Sequence, residues 1–376
     1  MTDGWCDPAF AGVRDVLADS LAAGDELGAA VCAYVDGRCV VDVWGGIADK
    51  RSGRPWDRDT RCVTFSCTKA VTATAALLLA ERGAVSLEGR VTDWWPQFGA
   101  NGKEATTGVH LLSHQAGLPA FDRPISVLEA ADHDAMAVQL AGQAPDWPPG
   151  TAHGYHALTF GWLVGELVRR HSGRSVRDFV RAELGPELWV GVPPDMVAEL
   201  ARISAGRPGK GVGVALTHEQ LSALVTAVGD PNSPMQRSSG NPAGSFNDPA
   251  LLTAGWPAAG LVCTGWALAD FYRRLVGGEI LRSDTLRDAV KERVRGPDRT
   301  IVLDSAFGLG FMLPSMSMHL PEAAQRSAFG HPGASGSLGI GDLDCRLAFA
   351  YLTNMTRPAV GDRRAFRLVE ALYAAL

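Results

Sequence analysis

Ser66 and Lys69 stand three residues apart in TFSCTKA (64–70), a stretch that opens a long apolar run. On a helix, positions i and i+3 share a face, so a hydroxyl and an amine so spaced can meet. The N-terminal end of a helix favours developing negative charge. Burial disfavours an ammonium and turns a lysine into a neutral base. A serine needs such a base, because a free hydroxyl is a weak nucleophile. Alone the pair is a weak signal, since a serine at a helix start is most often an N-cap. Two further stretches strengthen it. Tyr155 lies in WPPGTAHGYHA (147–157), after a rigid Pro-Gly turn and before a helical pattern. His331, Gly333 and Ala334 lie in FGHPGASGS (329–337), which reads as a Gly-rich strand entry.

Strands and helices from both ends of the chain must carry these residues. Helical spacing covers 10–23, where Val13, Val16, Leu17 and Leu21 form one stripe. Residues 28–46 hold two β-branched runs around Asp36-Gly37, a strong hairpin signal. A two-residue loop pairs Val35 with Arg38 and Tyr34 with Cys39, and sets Cys32 opposite Val41, away from a bridge to Cys39. A long helix is predicted over 66–82, ending at Gly83. Residues 91–226 read as mainly helical, most clearly at 159–171 and 176–184. The Gly/Pro/Ser/Asn-rich stretch 229–249 reads as a long surface loop. A helix over 264–276 follows, then strands at 308–313, 336–341 and 346–353, a turn at 342–344 and a closing helix over 363–376. This is an α+β pattern. It divides into a discontinuous α/β domain of 1–92 and 230–376 and a mainly helical insertion of 93–229.

Composition narrows the function classes. The 376 residues are 46% hydrophobic and 20% charged, with a net charge of −6. That is globular composition with no basic block, a poor match to nucleic acid or an anionic membrane. The start, MTDGWCDPAF, has no basic n-region or apolar h-region, so no signal peptide is read. No apolar run is long enough to span a bilayer. Seven scattered cysteines make neither a disulfide framework nor a zinc spacing. Cytoplasmic localisation is the expectation. No Walker or dinucleotide fingerprint and no G-x-S-x-G elbow occurs, so no cofactor and no ordinary α/β-hydrolase is implied.

The three stretches, in this order, resemble the serine β-lactamase/DD-peptidase superfamily, and most of all its β-lactamase-like (family VIII) carboxylesterases. The likeness also takes in VDGRCVVDVWGG, LLSHQAGLPA, PGTAHGYHALTFGWLVGELV and AGWPAAGLVCT, and so most of the chain. It implies a β-lactamase/penicillin-binding-protein-like fold, an antiparallel sheet flanked by helices with an inserted mainly helical domain. It also implies Ser66 as nucleophile, with Lys69 and Tyr155 sharing a proton relay. The identity of the base stays open between them. The oxyanion would lie between the N–H groups of Ser66 and Ala334, beside Gly333. Two departures matter. Ala157 stands where penicillin-recognising members carry a polar residue, and His331-Pro332-Gly333 replaces Lys-Thr-Gly. The fixed cation for a carboxylate is therefore missing, which favours uncharged esters.

The expected activity is thus a serine carboxylesterase for small, short-acyl or aromatic esters, with a small-molecule ester as partner and no metal. Alternatives are an acyltransferase, or an amide or peptide hydrolase of the β-lactamase or D-amino-acid peptidase type, on the same scaffold. A catalytically silent binding scaffold is a fourth. Plainer roles suit other conspicuous residues. Cys67 points about 100° from Ser66 on a helix and suits packing. His110 and His114 lack the HExxH context of a zinc site and suit structural roles. His153 and His156 sit at the pocket edge or in loop hydrogen bonds. His331 either donates to the substrate carbonyl or ester oxygen, or braces its strand. Trp147 and Trp256 are candidates to line an acyl or alcohol pocket. Asp93-Trp94-Trp95-Pro96 reads as a domain junction.

Overall fold

The computed structural model describes residues 2–207, 216–358 and 362–376. Residues 208–215, within the stretch read as mainly helical, and 359–361 lie outside the described residues. Strands β1 (Thr2–Cys6), β2 (Gly28–Val35) and β3 (Arg38–Asp49) come from the start of the chain. Strands β4 (Ala328–Pro332), β5 (Leu338–Asp342) and β6 (Leu347–Thr353) come from its end. They form one antiparallel sheet in the order β1-β3-β2-β6-β5-β4, with Arg54–Pro55 added beside β3. The helices that frame it are α1 (Ala11–Ala22), α2 (Thr68–Glu81), α3 (Thr159–Ser172), α4 (Gly265–Val276) and α5 (Arg364–Tyr373). The fold is α+β, an antiparallel sheet flanked by helices, as the resemblance implies.

β2 and β6 are near-continuous apolar runs because both sheet faces are covered. On one face Val31, Phe349 and Tyr351 pack with Val13, Leu17, Leu368 and Leu372 from α1 and α5. On the other, the small Ala30, Cys32, Ala348 and Ala350 join a core that includes α4. Small side chains there let the helix approach closely. α2 is buried nearly all round, and only its last two residues are partly exposed. A helix with that pattern belongs inside a core, and α2 packs against α3 and touches β4. Among the described residues no helix is long and apolar enough to cross a membrane.

Several local expectations need correction. The hairpin turns at Asp36 and Gly37, both with positive φ, and pairs Val35 with Arg38 and Tyr34 with Cys39. A bulge follows, so Ala33 meets Val41, and Cys32 meets Asp42 rather than Val41. The slip puts Cys32 on the face of Cys39, and both thiols are free. The strand predicted at 308–313 is absent. A short strand ends at Phe307, and the chain turns at Gly310, φ +79°, where a Cβ would lie 2.1 Å from Cβ of Ala73. Close packing on α2 overrides the extended pattern. The predicted loop 229–249 contains a helix, Pro234–Gly240, capped by Ser233. The helix predicted over 176–184 keeps those bounds, as an α-helical turn Val176–Phe179 continued by a π-helical turn Val180–Leu184.

Candidate active site

Ser66 lies in the turn leading into α2 rather than in its first turn. Helix α2 begins at Thr68, and the N–H of Lys69 donates to Ser66 O at 3.0 Å. Phe65, just before it, holds φ +50°, a left-handed conformation that costs a residue with a Cβ about 1–2 kcal/mol. The site keeps that bend because Phe65 is bridged to Gly260 and its ring packs against Phe246. The bend turns the Ser66 side chain to a partly exposed position.

Lys69 is buried, with its Nζ 3.1 Å from Ser66 Oγ, 2.7 Å from Ala157 O and 3.0 Å from Ala258 O. Burial pushes its ammonium well below the ordinary lysine range, and only Cys67 pulls the other way. A neutral amine has two N–H bonds and one lone pair. The two carbonyls can take both hydrogens, which leaves the lone pair for the Ser66 hydroxyl.

Tyr155 completes the trio. Its ring lies under Lys69 Nζ, 4.8 Å from the centroid, and Ser66 is the neighbour that most favours its ionised form. Burial pushes the phenol upward, and the Ser66 contact opposes this only in part. Tyr155 therefore keeps its proton near neutrality. It sits in a segment without regular structure, yet both its backbone groups are held. Its N–H donates to Asp298 Oδ1 at 3.0 Å, and its carbonyl accepts from the Ser238 hydroxyl at 3.1 Å. Ser238 Oγ also accepts from the N–H of Ala157 at 3.0 Å. Sequence reasoning missed both holders. Each carries only a faint local signal: Ser233-Pro234 for the start of the Ser238 helix, and Asp298 two residues before Thr300 for an Asx-turn.

The third stretch comes to the same place. Gly333 lies against the turn before Ser66, and a Cβ there would be 2.4 Å from Thr64 O. Only a glycine lets the end of β4 approach so closely. Among the described residues no hydrogen bond takes up the N–H of Ser66 or of Ala334. The ring of His331 faces Tyr155, with centroids 5.7 Å apart. Its Nδ1 donates to Pro332 O at 2.7 Å, and burial pushes the imidazole down to about 3, so the ring is neutral. Its Nε2 is then a buried lone pair without a partner among the described residues. Of the two roles open to His331, this hydrogen bond favours bracing the strand, because it occupies the ring N–H.

The remaining candidates are structural. Cys67 is buried, its Sγ donates to His331 O at 3.2 Å, and burial pushes its thiol up to about 12. His110 closes a capping box with Thr107. His114 accepts from the N–H of His156, and its ring packs among Tyr155, Phe160 and Phe307. His156 donates to Gly154 O and accepts from the N–H of Leu118. His153 is hydrogen-bonded to Ser305. Trp147 and Trp256 are buried and do not line the cavity beside the strand motif. That cavity, of about 330 Å³, borders Gly333 and Ala334 and is walled by Leu224, Met235, Ile301, Leu303, Met316 and Met318. Among the described residues no group of three metal-ligating side chains occurs.

The family profile described as Beta-lactamase matches residues 13–374. The esterase/beta-lactamase LipL of Mycobacterium tuberculosis is 33% identical over 374 residues, covering 93% of this chain and 82% of LipL. A crystallised family VIII carboxylesterase superposes with a TM-score of 0.87 at 31% identity, over 100% of both chains. A penicillin-binding protein homologue from Caulobacter crescentus gives 0.86 at 33% identity, also over 100% of both.

Proposed function

We propose that this chain, which belongs to the Beta-lactamase family, is a carboxylesterase that cleaves small, short-acyl or aromatic esters through an acyl intermediate on Ser66. The observation that carries the proposal is the environment of Lys69 Nζ: two carbonyl acceptors, one serine hydroxyl, and burial that lowers its basicity toward the working range.

In the acylation step Ser66 Oγ bonds to the ester carbonyl carbon and its proton passes to Lys69 Nζ. The N–H groups of Ser66 and Ala334 stabilise the oxyanion, a contribution of roughly 3–4 kcal/mol per donor in comparable sites. The bond to the alkoxide then breaks. The alkoxide takes the proton of Tyr155, and the resulting phenolate recovers one from the Lys69 ammonium. Water repeats the sequence in reverse and releases the acid, with Ser66 restored.

Two features support an uncharged, apolar substrate. The neutral His331 supplies no cation for a carboxylate. The cavity beside Gly333 and Ala334 is walled mostly by aliphatic and thioether side chains, and the charged Arg357 and Asp362 on its lining are each paired, with Asp25 and Arg364. Replacing Ser66 by Ala is expected to lower turnover of a p-nitrophenyl ester by at least about a thousandfold, the scale on which a nucleophile acting as a unit with its base is lost. Turnover near the parent level in that variant would overturn the proposal.

A further inference from the structure

Asp298 is buried, and no arginine, lysine or histidine pairs with it among the described residues. Hydrogen bonds alone satisfy its carboxylate. Oδ1 accepts the N–H of Tyr155 at 3.0 Å, of Thr300 at 2.8 Å and of Ile301 at 3.0 Å. Oδ2 accepts the Ser305 hydroxyl at 2.7 Å. Ser305 Oγ lies 3.1 Å from His153 Nε2. Since Ser305 gives its proton to the carboxylate, the imidazole is the donor in that contact. The backbone adds a further tie, from the N–H of Arg299 to His153 O at 3.2 Å. Residues 153–155 are thus fastened at three points to the loop 298–305.

The same loop runs into the strand Ser305–Phe307, and the ring of Phe307 stacks on that of Tyr155, with 5° between the planes and 6.1 Å between the centroids. One loop therefore holds both the backbone N–H and the ring plane of a tyrosine that itself lies in no helix or strand. The negative charge of Asp298 also disfavours a phenolate at Tyr155, as a smaller influence than burial. A buried carboxylate needs a reason to be kept, because it is costly unless fully hydrogen-bonded. Three of its four bonds shape its own loop, and the fourth crosses to the candidate proton donor.

We propose that Asp298 is a positioning residue for Tyr155: its carboxylate clamps the tyrosine N–H to the loop whose Phe307 orients the phenol, and so sets where the proton meets the departing alkoxide. This rests on the reading of Tyr155 as the acid that protonates the leaving group. A defect in that step depends on the leaving group. A p-nitrophenolate departs without help, whereas an alkoxide needs a proton as the bond breaks. A merely structural role would slow all esters alike.

The experiment measures kcat/KM for one acyl group on leaving groups of rising basicity, from p-nitrophenyl through phenyl and trifluoroethyl to ethyl. Tyr155→Phe is expected to steepen the dependence strongly. Asp298→Ala is expected to steepen it in the same direction, with p-nitrophenyl ester turnover within about threefold of the parent and ethyl ester turnover down roughly a hundredfold, the lower end of what general acid catalysis contributes. Asp298→Asn, which keeps an oxygen for the Tyr155 N–H, is expected to restore most of the parent slope. Should the alanine variant fail to fold, Asp298→Ser carries the same expectation: its short hydroxyl can turn the loop at Thr300 but is one bond too short for Tyr155. An equal loss on all esters in the Asp298 variants, with a steep slope in Tyr155→Phe, overturns the positioning role and leaves the relay standing. A parent-like slope in Tyr155→Phe overturns both.

Discussion

Three oxygens surround Lys69 Nζ, two of them carbonyls that can only accept, and burial rather than a neighbouring charge sets its state. The pH dependence follows from that. Acylation needs the neutral amine, so kcat/KM should rise as pH climbs through the lowered lysine pKa and level off well before 10.5, the ordinary value. A pH–rate profile with a neutral ester checks this, and an acid limb centred near 10 would contradict it. The same shift has a stability side. Between the lowered and the ordinary pKa the unfolded chain binds a proton at this lysine and the folded chain does not, so this group favours folding more as pH rises through that window. Below the lowered pKa both states are protonated and the dependence vanishes. Tyr155 moves the other way, held protonated by burial, as the proposed division into base and acid requires.

At the scale of elements, the end of β4 meets the turn before α2 through a contact that admits no side chain. Gly333→Ala would place a Cβ 2.4 Å from Thr64 O, so the strand end must withdraw. The expected result is a kcat roughly a hundredfold lower, as for a small misplacement of reacting groups, with stability reduced by about 1–3 kcal/mol. Ester kinetics and chemical denaturation on the same variant check it, and unchanged kcat would remove this strand end from the oxyanion site. Elements of this kind differ in how far the sequence discloses them. The hairpin was readable because Asp36-Gly37 accepts the two positive φ values the turn demands. Its bulge was not, since Val40 carries no mark of an extra residue. The apolar pattern of 308–313 suggested a strand, but the packing of Gly310 on Ala73 decides the backbone there. Ser66, Lys69 and Tyr155 stood out by residue type and order. Ser238 and Asp298 did not, because they act on a partner 83 and 143 residues away, and no local pattern encodes such a contact.

Across the whole molecule, the two ends of the chain are joined where the site needs them joined. β2 pairs with β6 along seven residues. A buried network crosses the same seam: Arg364 bonds Glu26 Oε2 at 3.0 Å and Asp362 Oδ2 at 2.6 Å, while Tyr351 and Thr353 donate to Glu26. Arg364 also bonds Ser335 O at 2.8 Å, bracing the turn that carries Ala334. Ser66 with Lys69, Tyr155, and Ala334 thus come from three distant parts of the chain and meet only in the folded molecule. The direct test is to quench the enzyme during turnover of p-nitrophenyl acetate and weigh its peptides. An acetyl group is expected on the peptide containing Ser66, absent in Ser66→Ala and accumulating when deacylation is slowed. Full turnover with no acyl adduct on that peptide, or an adduct that persists in Ser66→Ala, would contradict it.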